Sequence, residues 1–285
     1  MRLTIVGCSG SYPGPDSAAS CYLLEADDGG RTWRILLDLG NGALGQLHRH
    51  TDPLGIDGVL LSHLHADHCL DLCGYYVMRK YHPTGAQPQI PVWGPPGTAE
   101  RMARAYDLPV DPGMTEEFDF RSYGDDGGLV ELGPFRVEVR RVVHPVAAYA
   151  LRVSAGGRTL VYSGDTGPCA ELDEVAVGAD LLLAEASFRS GDDNPPELHM
   201  TGADCGRTAS LAGAGRVGAD PRPAVARPGR RRGRGPRRVV GPGRAGASRR
   251  DVRRVGPSDQ PGVVHHHRDL HAVGGVELGE QARDV

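Results

Sequence analysis

The stretch Ser62-His63-Leu64-His65-Ala66-Asp67-His68 directly follows the apolar segment Asp57 to Leu61, which predicts a buried strand. It places three imidazoles and one carboxylate within six residues. Imidazole nitrogen and carboxylate oxygen at this density suit Zn²⁺, with Mn²⁺ or Fe²⁺ as alternatives. The carboxyl end of a strand is also where open α/β sheets place their sites. The stretch therefore predicts a metal site formed by His63, His65, Asp67 and His68.

Further along the chain, other predicted strands also end in a side chain that can bind a cation. Phe135 to Val143 alternates as a strand and leads to His144, and Thr159 to Tyr162 leads to Asp165. Leu181 to Ala184 leads to Glu185 in the same way, and Trp33 to Leu37 leads to Asp38. These strand ends favour a single site assembled from separate segments.

The H-x-H-x-D-H loop, followed by a distant His and a distant Asp, resembles the metallo-β-lactamase superfamily over residues 1 to about 215. The resemblance implies an α/β fold, a four-layer αββα sandwich, with two Zn²⁺ ions. It implies that one metal is held by His63, His65 and His144, that the second is held by Asp67 and His68, and that Asp165 bridges them. Two such ions lower the pKa of a shared water and hold the hydroxide for attack. Asp67 would orient that hydroxide as a catalytic residue.

Three later motifs resemble the phosphodiesterase branch of this family, which includes ribonuclease Z and small cyclic-nucleotide phosphodiesterases. The motifs are Ser163-Gly164-Asp165-Thr166, Glu185-Ala186-Ser187-Phe188 and His199-Met200-Thr201-Gly202. The resemblance implies that His199, oriented by Glu185, contacts the phosphate and assists the leaving oxygen. The alternative for His199 is an exposed residue at a helix start, with Thr201 as the N-cap.

The charge distribution favours a small substrate. The chain has a net charge of -4, but residues 1–215 amount to -13 and residues 216–285 to +9. A strongly acidic catalytic part disfavours a polyanion such as tRNA. The segments Met1 to Ala26 and His68 to Tyr76 resemble actinobacterial cyclic-nucleotide phosphodiesterases, so we expect hydrolysis of 3′,5′-cyclic nucleotides. The alternatives are a tRNA 3′-processing endonuclease, or a thiol-ester hydrolase or oxidoreductase on the same scaffold.

The segment 216–285 differs in composition from the rest of the chain. All of its 16 basic residues are arginines, and no aromatic residue follows Phe188. Such a segment cannot offset its ordering entropy by burial, so it predicts an irregular Arg/Gly/Pro-rich tail, non-native or disordered. Its charge would bind nucleic acid only nonspecifically.

The tail also has the properties of a shifted reading frame. The family ends in an L-T-H-x-P-P-W-like motif whose His is the last ligand of the second metal. With free third bases, Gly218 to Pro228 read one nucleotide later becomes compatible with V-L-T-H-x-P-P-W-x-D-P. Our hypothesis is that an insertion or deletion near codons 212 to 217 replaced the native ending. The second metal site would then be impaired, and His265-His266-His267 and His271 would be accidental.

The remaining features concern location and cysteine chemistry. The N-terminus lacks a signal-peptide pattern and no window approaches the roughly 18 apolar residues that a membrane span requires, so we expect a cytoplasmic protein without membrane contact. Six cysteines without a C-x-x-C pair argue against a disulfide framework. Cys69 and Cys73, one helical turn apart, are either core thiols or, less favoured, metal ligands. The sequence leaves homodimerisation open.

Overall fold

The computed structural model describes residues 1–220 and 276–277. Thirteen strands lie in this part of the chain: β1 (Arg2–Gly7), β2 (Cys21–Asp28), β3 (Arg31–Leu37), β4 (Gly58–Leu60), β5 (Ile90–Gly94), β6 (Phe118–Ser122), β7 (Gly127–Leu132), β8 (Phe135–Val142), β9 (Ala148–Ala155), β10 (Arg158–Tyr162), β11 (Leu181–Glu185), β12 (Val217–Asp220) and β13 (Val276–Glu277).

The strands form two mixed sheets. The first has the order β13-β1-β2-β3-β4-β5-β6 and the second the order β12-β11-β10-β9-β8-β7. Pairing is parallel from β3 to β6 and from β10 to β12, and antiparallel elsewhere. Because neighbouring parallel strands end at the same edge, the residues that follow β3 and β4 lie close together in the first sheet, and those that follow β10 and β11 lie close together in the second.

Six α-helices accompany the sheets within the described residues: α1 (Ala43–Leu47), α2 (Ala66–Cys69), α3 (Leu72–Lys80), α4 (Thr98–Ala105), α5 (Ala170–Val175) and α6 (Gly202–Ala212). A 3₁₀ turn spans Pro53–Gly55, where the side chain of Asp52 accepts a hydrogen bond from the Leu54 amide at 3.0 Å.

Three apolar clusters show how these elements are layered. The cluster between the sheets includes Tyr22 and Ile35 from the first sheet and Leu151 from the second. A second cluster packs α1, α3 and α4 on the outer face of the first sheet, and a third packs α5 and α6 on the outer face of the second. This is the predicted αββα sandwich, so the fold class is confirmed.

Several elements differ from the sequence-based expectation. The periodicity from Cys69 to Tyr81 predicts one helix, but the chain forms α2 and α3 with a break at Leu70 and Asp71. The amide of Leu44 donates to the Asp71 carboxylate at 2.8 Å, so that side chain is bound to another segment. The periodicity also gave no indication of α1, α5, β6 or β7.

The predicted domain boundary at residue 215 lies two residues before β12. This strand pairs in parallel with β11, and Glu185 is the register partner of Asp220. The regular structure therefore extends into the segment that the sequence assigned to the tail. The other tail predictions, including the histidines at 265–267 and 271, lie outside the described residues.

In the part of the chain that the structure describes, no helix combines the length and the apolar character needed to cross a membrane. All six cysteines are free thiols, in agreement with the expectation from their spacing.

The N-terminus of α6 is stabilised by a capping box, in which Thr201 and Asp204 bond to each other's backbone amides. The Asp204 amide donates to Thr201 Oγ1 at 3.2 Å, and the Thr201 amide donates back to the Asp204 carboxylate at 2.9 Å. We expect Thr201→Ala to lower the free energy of unfolding in urea by about 1 kcal/mol. Ser210→Ala, at an exposed position of the same helix, is the control and should cost less than half as much. Equal losses in the two variants would contradict the capping role.

Candidate metal centre

The first group of potential ligands joins the loop after β4 to two other strand ends. It consists of His63, His65, His144 and Asp165, whose ligand atoms all lie within 4.8 Å of one another. His63 Nε2 is 3.0 Å from His65 Nδ1, and His144 Nε2 is 3.4 Å from the same atom. The Asp165 carboxylate lies 3.8 Å from His63 Nε2. Three imidazoles and one carboxylate thus face a common point.

A second group shares Asp165 with the first and adds Asp67 and His68. His68 Nε2 is 3.3 Å from Asp165 Oδ1 and 3.5 Å from Asp67 Oδ2. All six ligands predicted from the sequence therefore meet at one place, and Asp165 lies between the two groups as the resemblance implies. Their coordination of metal stays a prediction.

Hydrogen bonds outside the centre orient two of its histidines, His144 and His63. His144 Nδ1 donates to the carbonyl of Leu198 at 2.9 Å, and a carbonyl can only accept, so the lone pair of this ring is on Nε2. His63 Nδ1 lies 3.1 Å from the Ser62 hydroxyl. Such outer partners orient imidazoles for metal binding. The strand pattern gave no signal for Leu198, since the residue acts through its backbone.

Asp38 performs the same task for His68 and is itself held by several donors. His68 Nδ1 donates to Asp38 Oδ2 at 2.7 Å, and the hydroxyls of Tyr162 and Ser62 donate to that oxygen at 2.7 and 2.8 Å. The Ser62 amide donates to Asp38 Oδ1 at 2.6 Å. Asp38 is fully buried, and its backbone has a φ of 60°. The network aims His68 Nε2 at the centre.

Burial keeps His63, His65 and His144 in the form that binds cations. Burial is the main cause that lowers the pKa of His63 well below its ordinary value, and the neighbouring His68 adds to the effect. Burial also lowers the pKa of His65 and of His144. Neutral imidazoles at neutral pH have a lone pair available for a metal. The donor set, its spacing and its protonation state therefore fit divalent cations.

Two glycines allow the backbone to come close at the centre. A Cβ on Gly40 would stand 1.9 Å from the carbonyl oxygen of Asp67, so the loop after β3 could not pack against the ligand loop with a larger residue. Gly164 has a φ of 59°, which favours glycine, and a Cβ there would meet the side chain of Ser62 at 2.9 Å. Gly164 thereby lets the chain turn directly before Asp165.

Glu185 and His199 form a pair beside Asp165, and the three residues make up a third group that could hold a metal. His199 Nδ1 donates to Glu185 Oε2 at 2.8 Å and lies 3.8 Å from the Asp165 carboxylate. Glu185 also accepts from the Thr166 amide at 2.6 Å and from the Ser187 hydroxyl at 2.8 Å. The side chain of His199 is 17% exposed, whereas that of Glu185 is 1% exposed. A buried carboxylate thus holds a partly accessible imidazole at the centre, and Thr201 caps the following helix at the same time.

The thiols do not join this centre. Among the described residues, none of the groups that could hold a metal includes Cys69 or Cys73. Burial raises the pKa of Cys69 to about 12, and its Sγ donates to the carbonyl of His65 at 3.3 Å. Cys69 is therefore a core thiol, the favoured alternative of the sequence analysis.

Comparison with known proteins establishes the family. A family model described as "Beta-lactamase superfamily domain" matches residues 33–218. The "Uncharacterized protein ML1173" of Mycobacterium leprae is 48% identical over 216 residues, which cover 74% of each chain. The chain belongs to the metallo-β-lactamase superfamily. The sequence-based resemblance is thereby confirmed at the level of the family.

Two further members of the superfamily widen the comparison. The crystal structure of the metallo-β-lactamase fold protein YhfI from Bacillus subtilis has a TM-score of 0.67 at 27% identity, with 76% of this chain and 85% of that chain covered. A protein named Ribonuclease Z, from Mycobacterium bovis, is 30% identical over 202 residues, or 64% of this chain and 69% of that protein. The fold of this chain is thus similar to that of a solved metallo-β-lactamase fold protein.

Proposed function

We propose that this protein is a metal-dependent hydrolase that cleaves phosphodiesters, with 3′,5′-cyclic nucleotides as its substrates. The proposal rests chiefly on one observation, the Glu185–His199 pair placed beside a carboxylate that belongs to both groups of metal ligands. Two relatives are named "Probable metallo-hydrolase YhfI" and "Ribonuclease Z". The first name supports hydrolysis in general, and the second supports cleavage of a phosphodiester.

The centre would hold two divalent cations. Its imidazole and carboxylate ligands favour Zn²⁺. His63, His65, His144 and Asp165 would hold one, and Asp67, His68 and Asp165 the other. When bound, such a pair of ions supplies an activated water and neutralises charge on the substrate oxygens. The residues of this chain contribute the arrangement, since Asp38, Ser62 and the Leu198 carbonyl orient the imidazoles. Asp67 would orient the attacking water, as the family resemblance implies.

His199 would act on the leaving group. Its Nδ1–H is held by Glu185, so the other ring nitrogen is the one that can hold a proton for the departing alkoxide oxygen. The Glu185 carboxylate stabilises the positive charge of the protonated ring until the proton is transferred. The same ring in its protonated form also attracts the negative phosphate of the substrate.

The acidic balance of the catalytic part supports a small substrate over a long polyanion. Residues 1–215 have a net charge of -13, which repels an extended phosphate backbone. The similarity to Ribonuclease Z supports a second candidate function, that of a tRNA 3′-processing endonuclease. A small cyclic diester remains the preferred substrate because it places only one phosphate in this field.

A substrate panel tests the proposal. Metal-loaded protein is assayed with 3′,5′-cyclic AMP and cyclic GMP, with bis(p-nitrophenyl) phosphate, with a 3′-extended tRNA precursor and with a glutathione thioester. We expect turnover of the cyclic nucleotides and the aryl diester that is lost in His63→Ala. Exclusive cleavage of the tRNA precursor would support the second candidate, and exclusive cleavage of the thioester would contradict both.

The role of His199 predicts a leaving-group dependence. We expect His199→Ala to lower kcat by about 10²- to 10⁴-fold with a cyclic nucleotide, because its alkoxide must be protonated as it leaves. The loss should be at least tenfold smaller with bis(p-nitrophenyl) phosphate, since p-nitrophenolate leaves without a proton. His50→Ala, at an exposed position, is the control. Equal losses on both substrates would show that His199 acts in binding rather than as an acid.

A further inference from the structure

A cleft of about 460 Å³ opens beside the metal centre and shares His65 with it. Its walls come from four parts of the chain: the ligand loop, the turn before α4, α4 itself and the loop before β9. The other lining residues are Leu64, Ala66, Pro95, Pro96, Arg101, Val146 and Ala147. The volume lies within the range of pockets that bind small molecules. The cleft is therefore the place where a substrate held at the centre can extend its organic part.

The walls of the cleft are apolar apart from His65 and Arg101. Pro95 and Pro96 lie on one side, and Val146 and Ala147 on another. Apolar lining with a few placed polar groups is typical of sites for small organic molecules. A second phosphate would instead need several cations or backbone donors, and Arg101 is the one permanent cation among the lining residues.

Arg101 differs from the other arginines of residues 1–220. Each of the other arginines that is at least partly buried bonds to a carboxylate or a carbonyl oxygen, as Arg34 does to Glu25 and Arg152 to Val175. Arg101 is half-buried and forms no hydrogen bond or ion pair through its guanidinium with any residue the structure describes. Its positive charge partly offsets the rise in pKa that burial causes in the thiols of Cys69 and Cys73. A guanidinium in the wall of a cleft, without an acceptor of its own among the described residues, is suited to bind one on a ligand.

From these contacts we propose that the cleft holds the nucleobase of the substrate and that Arg101 determines base specificity. This inference rests on the proposed function, because it assumes a phosphodiester at the centre. A guanidinium forms two parallel hydrogen bonds with two neighbouring acceptors, and guanine presents O6 and N7 in this arrangement. Adenine presents an amino group beside N7, so it can satisfy only one donor. The geometry therefore favours guanine nucleotides.

Arg101→Ala tests the inference against a matched control. We expect the variant to lower kcat/KM for cyclic GMP by about 10- to 100-fold, mainly through KM, and to lower it less for cyclic AMP. The loss on bis(p-nitrophenyl) phosphate, which offers no O6/N7 pair to the guanidinium, should be at least about fivefold smaller than the loss on cyclic GMP. Arg101→Lys keeps the charge but not the paired donors and should restore little. Arg104→Ala is the control, because Arg104 lies on the same helix, is exposed and pairs with Glu100.

Calorimetric titration with guanosine supplies a readout that needs no turnover. We expect guanosine to bind the wild-type protein and Arg104→Ala, and to bind Arg101→Ala at least tenfold more weakly. An unchanged kcat/KM for cyclic GMP in Arg101→Ala would overturn the inference, as would an equal loss on the aryl diester, which would place Arg101 at the phosphate. If the wild-type protein cleaves no phosphodiester at all, the proposed function fails instead, and the guanosine titration still tests the cleft.

Discussion

Asp165→Ala is expected to remove metal from both halves of the centre and to lower kcat/KM on bis(p-nitrophenyl) phosphate by at least about 10³-fold. Asp165 belongs to each group of potential ligands among the described residues, and it is 2% exposed. Without it, the first group retains three imidazoles, the second only Asp67 and His68, and the third only Glu185 and His199. Elemental analysis after dialysis measures the bound metal, and initial rates measure the activity.

Asp165→Asn and an exposed aspartate separate the ligand role from general effects. Asn keeps the size of the side chain but removes its charge, so both readouts should fall almost as far as with alanine. Asp28→Asn, at an exposed position at the end of β2, should leave metal content and rate unchanged. If Asp165→Ala retained its metal and more than a tenth of the wild-type rate, the two-cation centre would be wrong.

The potential metal ligands could be predicted from the sequence because most of them lie close together in it. Four of the six predicted ligands lie in one loop after an apolar strand, and the other two, His144 and Asp165, each follow a predicted strand. Strand ends could be located from alternation and apolar runs alone. β8 and β10 each pair antiparallel with β9 between them, so these two strands run in the same direction and end at the same edge of the second sheet.

The supporting groups could not be predicted in the same way. The Leu198 carbonyl orients His144 across 54 residues of sequence, and Tyr162 reaches Asp38 across 124. A backbone carbonyl has no sequence signal, and a tyrosine at a strand end is equally typical of a core. The role proposed for Arg101 could not be predicted from the sequence either. It depends on the fact that no carboxylate among the described residues pairs with its guanidinium. Such features depend on tertiary packing.

The predicted helix boundary was wrong where hydrogen bonds between distant segments override the local preference for helix. The break between α2 and α3 occurs in a stretch whose periodicity continues without interruption. At that break, the Asp71 carboxylate accepts from the Leu44 amide, and the Asp71 amide donates to the carbonyl of Leu39. These bonds tie the break to the loop after β3. They also keep His68 in place, because the Leu39 amide donates to its carbonyl at 2.8 Å.

Restoring the alternative reading frame after codon 217 is expected to raise the affinity for the second cation by at least about 100-fold. Among the described residues, the second group has three donors and the first has four. β12 pairs with β11 so that Asp220 lies opposite Glu185, and the family-model match ends at residue 218. A histidine placed directly after this strand would therefore enter the chain at the edge that bears the centre. Titration with Zn²⁺ in the presence of a competing chelator measures both affinities.

The restored chain with alanine in place of the histidine of its L-T-H motif separates ligation from folding. It should keep any gain in the free energy of unfolding that the native ending supplies, yet bind the second cation as weakly as the present chain. The first cation should bind equally in all three chains, because its donors precede the altered codons. Two equally tight cations in the present chain would mean that Asp67, His68 and Asp165 suffice, and the frame hypothesis would then lose its physical consequence.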